Sequence, residues 1–231
     1  MSALAKDRGS GAPASLGRHL PLATTVVIAV AHFFAWREAL GVSAFVWLGA
    51  AYAPLMLWAT MHLRREEVLR DLMRPVAGDL TAGILGAALA VGALYAVARV
   101  GLRVAPSIVA RDLRGIVAVA APVQTTVRGV AIVAFSIVEE VVWRGAVSTA
   151  LEERFGSARA PWVAGGLFVV ALLPSMHPSL ILAGVILAVV TAITRVRFRR
   201  LSVPLVVHAF FTWITVEMIL PDLWGRIQAL G

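Results

Sequence analysis

Ionisable side chains inside an apolar stretch cost about 2.5–3.5 kcal/mol each on insertion scales, so those that occur there point to partners or to chemistry. The segment Phe135-Ser136-Ile137-Val138-Glu139-Glu140-Val141-Val142-Trp143-Arg144 sets two adjacent carboxylates among apolar neighbours, and no charge occurs from Val130 to Val138. The pattern predicts a helix. On a helix Glu140 and Arg144 share a face, four residues apart in the favourable acid-first order, and can pair. Glu139 points about 100° away, toward the face of Phe135 and Trp143, with no basic partner on its own helix. Low dielectric disfavours the charged form of an unpaired carboxylate, a condition that suits a general base near neutral pH. The competing reading is structural: both acids merely lock helices together.

Two histidines occupy comparable positions. His177 lies between Pro174 and Pro178, at a break between apolar runs. His208 lies inside the last run, with Thr212 one turn further on the same face. Taken singly, each also reads as an interhelical hydrogen-bonder. His32, within the first run, and His19 and His62, at run ends, read as structural. Cysteine is absent, which excludes disulfides, thiolate nucleophiles, Cys-ligated zinc and iron–sulfur clusters. Two Glu and two His could ligate zinc or iron. However, the His-Glu-x-x-His pair is missing and no His lies on the Glu helix. No metal and no cofactor is expected, and a metal-dependent membrane protease stands as an alternative.

These groups need elements to hold them. The chain has 231 residues, of which 60% are hydrophobic and 15% charged, and its mean hydropathy is +0.86. A soluble domain carries about 45–50% apolar and about 25% charged residues. The composition therefore excludes a water-soluble domain, disorder and a coiled coil. It predicts an all-α polytopic transmembrane helical bundle of about seven to eight spans, at roughly 20 residues each. Apolar runs cover 20–36, closed by Arg37 and Glu38, then 42–63, 80–100, 162–173, 180–194 and 201–220, the last ending at Pro221. A long helix is expected over 126–154. The segment 104–124 holds Pro106, Arg111, Asp112, Arg114 and Pro122, and reads as interfacial or half-inserted. The chain thus divides into an N-terminal tail (1–19), N-terminal spans with the interfacial segment (20–125), a catalytic membrane core (126–220) and a C-terminal tail (221–231).

The formal net charge is +8. The charges punctuate apolar runs, so they set topology and meet anionic lipid headgroups rather than nucleic acid. With the N-terminus inside, thirteen basic residues fall on inside segments and six on outside ones, while Arg128 and Arg144 lie on the long helix. This favours a cytoplasmic N-terminus and a multi-pass protein of the inner (plasma) membrane. The arginines of 195–200 read as headgroup anchors. Glu152, Glu153 and Arg154 read as a solvated helix end, and Glu217 as interfacial.

The order Glu139-Glu140-x-x-x-Arg144, then His177, then His208 resembles the CAAX-protease and bacteriocin-processing (CPBP) intramembrane glutamic endopeptidases. The resemblance covers about 126–220. Two positions depart from the family pattern: Leu173 stands where Phe is common, and Thr212 where the family has Asn. Thr lacks the amide's paired donor and acceptor. The resemblance implies a metal-independent hydrolysis. Glu139 would accept a proton from a water attacking a peptide carbonyl, and Arg144 would hold Glu140, which helps orient the site. His177 and His208 would position the water or donate to the oxyanion, with Thr212 as a weaker donor. The expected partner is a membrane-anchored protein or peptide, cut at a CAAX-type tail or a C-terminal anchor. Two other classes compete. One is a non-catalytic membrane protein for bacteriocin immunity or partner binding. The other is a proton-coupled transporter, which would require internal repeats that the sequence lacks.

Overall fold

The computed structural model describes residues 15–37, 43–120 and 123–228, and every regular element among them is helical. In chain order the α-helices are α1 (Ser15–Ala35), α2 (Ala44–Arg65), α3 (Leu69–Met73), α4 (Asp79–Val104), α5 (Pro106–Ala120) and α6 (Thr125–Glu139). α6 runs without a break into a π-helical stretch, Glu140–Val147, and then into α7 (Ser148–Phe155). There follow α8 (Ala160–Leu172), a 3-10 turn (Leu173–Ser175), α9 (Pro178–Phe198) and α10 (Ser202–Ile214). A second π-helical stretch, Thr215–Ile219, leads into α11 (Leu220–Gln228). Most of the expected N-terminal tail lies outside the described residues, as does Glu38; the described chain is already helical from Ser15.

Among the described residues four helices are long and apolar enough to cross a membrane: Ala44–Arg65, Asp79–Val104, Pro178–Phe198 and Ser202–Gln228. His19–Ala35 and Ala160–Ser175 are shorter apolar helices. Large apolar side chains such as Leu57, Leu89 and Val130 lie on the outside, as lipid-facing positions do.

Local sequence explains the joints. Proline forces the residue before it into extended backbone. His177 accordingly adopts φ −103° and ψ 100°, and Pro178 opens α9 at the first turn, where its missing N–H costs nothing. α9 ends on Arg199, left-handed at φ 56°. The expected stop at Pro221 is not found, because the helix continues to Gln228. Pro221 falls at the junction between the π turn and α11, near the start of a new α-helical segment, where a missing N–H is best tolerated.

Three apolar cores hold the bundle. The largest joins α1, α2, the π stretch and α8 around Tyr52, Leu63, Trp143, Val147, Phe168 and Leu201. A second joins α4, α9 and α10 through Ala90, Leu187, Val207 and Phe211. A third joins α4, α5 and α11 through Leu102, Leu113, Leu220 and Leu223. The α4–α10 contact is the most extensive of the bundle, and its basis is a buried small-residue stripe on α4: Gly83, Gly86, Ala87 and Ala90. Small residues let helix backbones approach closely in lipid. A Cβ on Gly83 would collide with Val206, and one on Gly86 would lie 2.8 Å from the Val207 side chain. Gly83→Val is expected to lower stability by about 1–3 kcal/mol through overpacking. Gly92→Val, on the same helix with nothing within 4 Å of the added Cβ, should leave it nearly unchanged. Thermal melts of the two variants in detergent check this contrast.

Candidate active site

Glu139 closes α6 and Glu140 opens the π stretch. All eight residues of that stretch are buried. π turns interrupt α-helices mostly at functional positions. Gly145 belongs to the same stretch, and a Cβ there would meet Leu63 at 3.1 Å and Leu201 at 3.3 Å. The bulge is thus packed tightly between α2 and the start of α10.

Both carboxylates reach one imidazole. His208, on α10, has Nδ1 at 2.9 Å from Glu140 Oε1 and Nε2 at 3.2 Å from Glu139 Oε2. The predicted pair also forms: Arg144 Nη1 lies 3.5 Å from Glu140 Oε1, and both side chains have no exposed surface. That contact is Coulombic rather than a hydrogen bond, since none of the three guanidinium nitrogens of Arg144 has a hydrogen-bond partner. The guanidinium lies over the Phe168 ring, 4.8 Å from its centroid. Arg195 Nε donates to the Arg144 carbonyl at 3.1 Å.

Proton inventory constrains this cluster. Ionised carboxylates only accept, and a neutral imidazole donates from one nitrogen alone. The Nδ1–Glu140 contact is a hydrogen bond, whereas the Nε2–Glu139 contact is an ion pair without hydrogen-bond geometry. With a proton on each ring nitrogen of His208, the four groups Glu139, Glu140, His208 and Arg144 sum to zero charge, the arrangement that low dielectric favours. Glu139 is the accessible acid, with 16% of its side chain exposed against none for Glu140. Tyr52, buried on α2, accepts from Trp143 Nε1 at 3.2 Å and lies beside Glu139. Thr212 follows His208 by one turn on α10.

The structure thus gathers Glu139, Glu140, Arg144 and His208, with Thr212 adjacent. It does not join His177 to them by any hydrogen bond or ion pair among the described residues. His177 Nδ1 is taken by Asp112, at 2.9 Å, and its ring packs on Trp36 with centroids 4.8 Å apart. It is the N-cap residue of α9, without a side-chain capping bond. His32 is buried, and its Nδ1 accepts from Trp36 Nε1 at 3.1 Å.

Several charged groups have tertiary partners that helical spacing does not show. Glu217, expected at an interface, pairs in a bidentate fashion with Arg128, at 2.6 and 2.8 Å. It thereby ties α6 to the end of α10. Of the basic loop, Arg195 is buried and faces Glu152 at 3.7 Å, and Arg200 pairs with Asp79 at 3.1 Å; Arg197 and Arg199 are exposed. Only part of the loop is therefore available to headgroups. Tyr52 and Asp112 escaped sequence reasoning because their partners lie 60 or more residues away, beyond any helical spacing rule. The one available signal was an acid, Asp112, in a largely apolar amphipathic segment. Among the described residues no group of three or more His, Cys, Asp or Glu is arranged to hold a metal ion.

No curated protein and no solved structure matches the chain. A family model does: residues 121–214 match the family described as Rce1-like, type II CAAX prenyl endopeptidase Rce1-like. The matched segment runs from the start of α6 to the end of α10, and so contains Glu139, Glu140, Arg144, His177, His208 and Thr212. Residues 121–214 are thus similar to the Rce1-like type II CAAX prenyl endopeptidases, a likeness that agrees with the resemblance of the Glu-Glu, Arg and His pattern.

Proposed function

We propose that the protein is an intramembrane endopeptidase of the glutamic type, which hydrolyses a peptide bond of a membrane-associated substrate with water activated by Glu139. The observation that carries the reading is the unequal pair. Glu140 is buried and tied to Arg144 and His208, whereas Glu139 is partly exposed and touches His208 alone among the charged groups of the cluster within ion-pair distance.

In the proposed reaction a water oxygen bonds to the substrate carbonyl carbon while Glu139 takes its proton. The carbonyl oxygen becomes an oxyanion. Glu139 then passes the proton to the amide nitrogen, the oxyanion collapses as the C–N bond breaks, and the amine and the new carboxylic acid leave, the acid giving up the second water proton to the amine or to solvent. His208, beside Glu139, positions the water or donates to the oxyanion, a contribution of roughly 2.7–4 kcal/mol per donor in other systems. Glu140 holds His208 through Nδ1, and Arg144 balances the charge of Glu140. Thr212 supplies a hydroxyl one turn from His208, and His177 supplies its Nε2 from the start of α9. A CAAX-type tail or a C-terminal anchor is the substrate that the family match favours. The two shorter apolar helices and the continuous helix from α6 to α7 would bring the four long spans to seven in the inner membrane with the N-terminus inside, and Arg197 and Arg199 would meet anionic headgroups.

One observation favours a second reading. Thr212 replaces the family's Asn, and a hydroxyl donates and accepts through a single oxygen, without the separate donor and acceptor atoms of an amide. A non-catalytic protein for immunity or partner binding would tolerate that change.

Glu139→Gln separates the two readings. It keeps the size and hydrogen-bonding capacity of the side chain and removes the base, so cleavage of a prenylated CAAX peptide in vesicles should fall by about 10²–10⁴-fold. Unchanged cleavage would exclude the base role. Arg144→Leu leaves Glu140 buried without its cation and should cost about 3–5 kcal/mol in a thermal or denaturant melt, as broken buried ion pairs do. A variant as stable as the parent would show that Glu140 does not need that charge.

A further inference from the structure

The proposed reaction uses His177, yet the groups that hold its ring lie outside the matched segment. Asp112 and Gly115 sit on α5, and Trp36 follows α1. Asp112 is 8% exposed. Its Oδ1 accepts from His177 Nδ1 at 2.9 Å, and its Oδ2 accepts from the Ser179 backbone N–H at 2.6 Å. The second bond ties the carboxylate to the first turn of α9, where N–H groups lack intrahelical partners and the helix dipole favours negative charge. Gly115 stands one turn from Asp112. A Cβ there would lie 2.6 Å from His177 Cε1, so the ring rests directly on the α5 backbone. The Trp36 ring packs against the imidazole, tilted at 57°.

From this geometry we infer that Asp112 is a positioning residue for the proposed reaction. It fixes the Nδ1–H tautomer of His177 and leaves Nε2 as the lone-pair nitrogen available to water or substrate, while Gly115 sets where the ring stands. The chemistry is that of a carboxylate orienting a histidine: an acceptor-only group on one ring nitrogen determines what the other can do. The inference deepens the reading above and rests on it for its catalytic consequence. The tautomer itself does not depend on that reading.

Asp112→Asn provides the test, because it separates capping from orientation. The amide oxygen can still accept from Ser179 N, so α9 keeps its cap. The amide NH2 then faces His177 Nδ1 and donates to it, which moves the ring proton to Nε2. In ¹⁵N-histidine spectra of the purified protein the parent should carry its His177 proton on Nδ1 and the variant on Nε2. With a prenylated CAAX peptide in vesicles, kcat should fall at least about a hundredfold, with KM and the melting temperature little changed. Gly115→Ala is the second variant, and it keeps the question open to refutation should Asp112→Asn fail to fold. It displaces the ring without altering its partner, and a misplacement on the order of 1 Å should again cost about a hundredfold in kcat. Full activity in either folded variant, or a His177 proton that stays on Nδ1 in Asp112→Asn, would overturn the inference. His177→Ala marks the other failure. If that variant cleaves normally, His177 has no part in the reaction and the functional reading is wrong there, while the ¹⁵N spectra still decide whether Asp112 sets the tautomer.

Discussion

Two adjacent carboxylates at the centre of an apolar bundle must be neutralised, and the way this is done governs the rest of the architecture. Glu140 is enclosed by Arg144 and by one nitrogen of His208; Glu139 takes the other nitrogen of the same ring. The imidazole is therefore the hinge of the site, clamped between two acids that are neighbours in sequence. It comes from α10, 68 residues after Glu140. Hence α10 must approach the Glu helix closely, and the Gly and Ala stripe of α4 and the bidentate Arg128–Glu217 pair hold it there. Removing either acid from solvent without the ring and the guanidinium would leave an uncompensated charge, the most destabilising arrangement available to a buried group.

Much of this was legible in the residues. The bundle followed from composition alone, since 60% apolar content at this length has no soluble solution. The Glu140–Arg144 contact followed from a spacing of four, and it holds even though the local backbone is π-helical. The break at 174–178 followed from its prolines, and His177 has the extended backbone that a following proline imposes. What could not be read was any partner fixed only by the tertiary fold. Nothing in a one-dimensional pattern says that both acids face the same ring, or that His177 turns to Asp112. The stop expected at Pro221 failed for a different reason: proline blocks an α-helical interior, but a π turn just before it changes the hydrogen-bond register and lets the helix proceed.

The division of labour along the chain is informative. The segment that matches the family carries the acids, the arginine and both histidines. The residues that seat them come largely from the N-terminal half: Tyr52 on α2 beside Glu139, the α4 stripe beneath α10, and Asp112, Gly115 and Trp36 around His177. Such supporting contacts constrain position rather than chemistry.

The central claim is that Glu139 and His208 act as one unit. A double-mutant cycle on kcat/KM, with Glu139→Gln, His208→Asn and the double variant, tests it most directly. Groups that act together are non-additive, so the account predicts that the double variant is about as impaired as the worse single variant. Losses that multiply would mean that the two side chains contribute independently, and would contradict it.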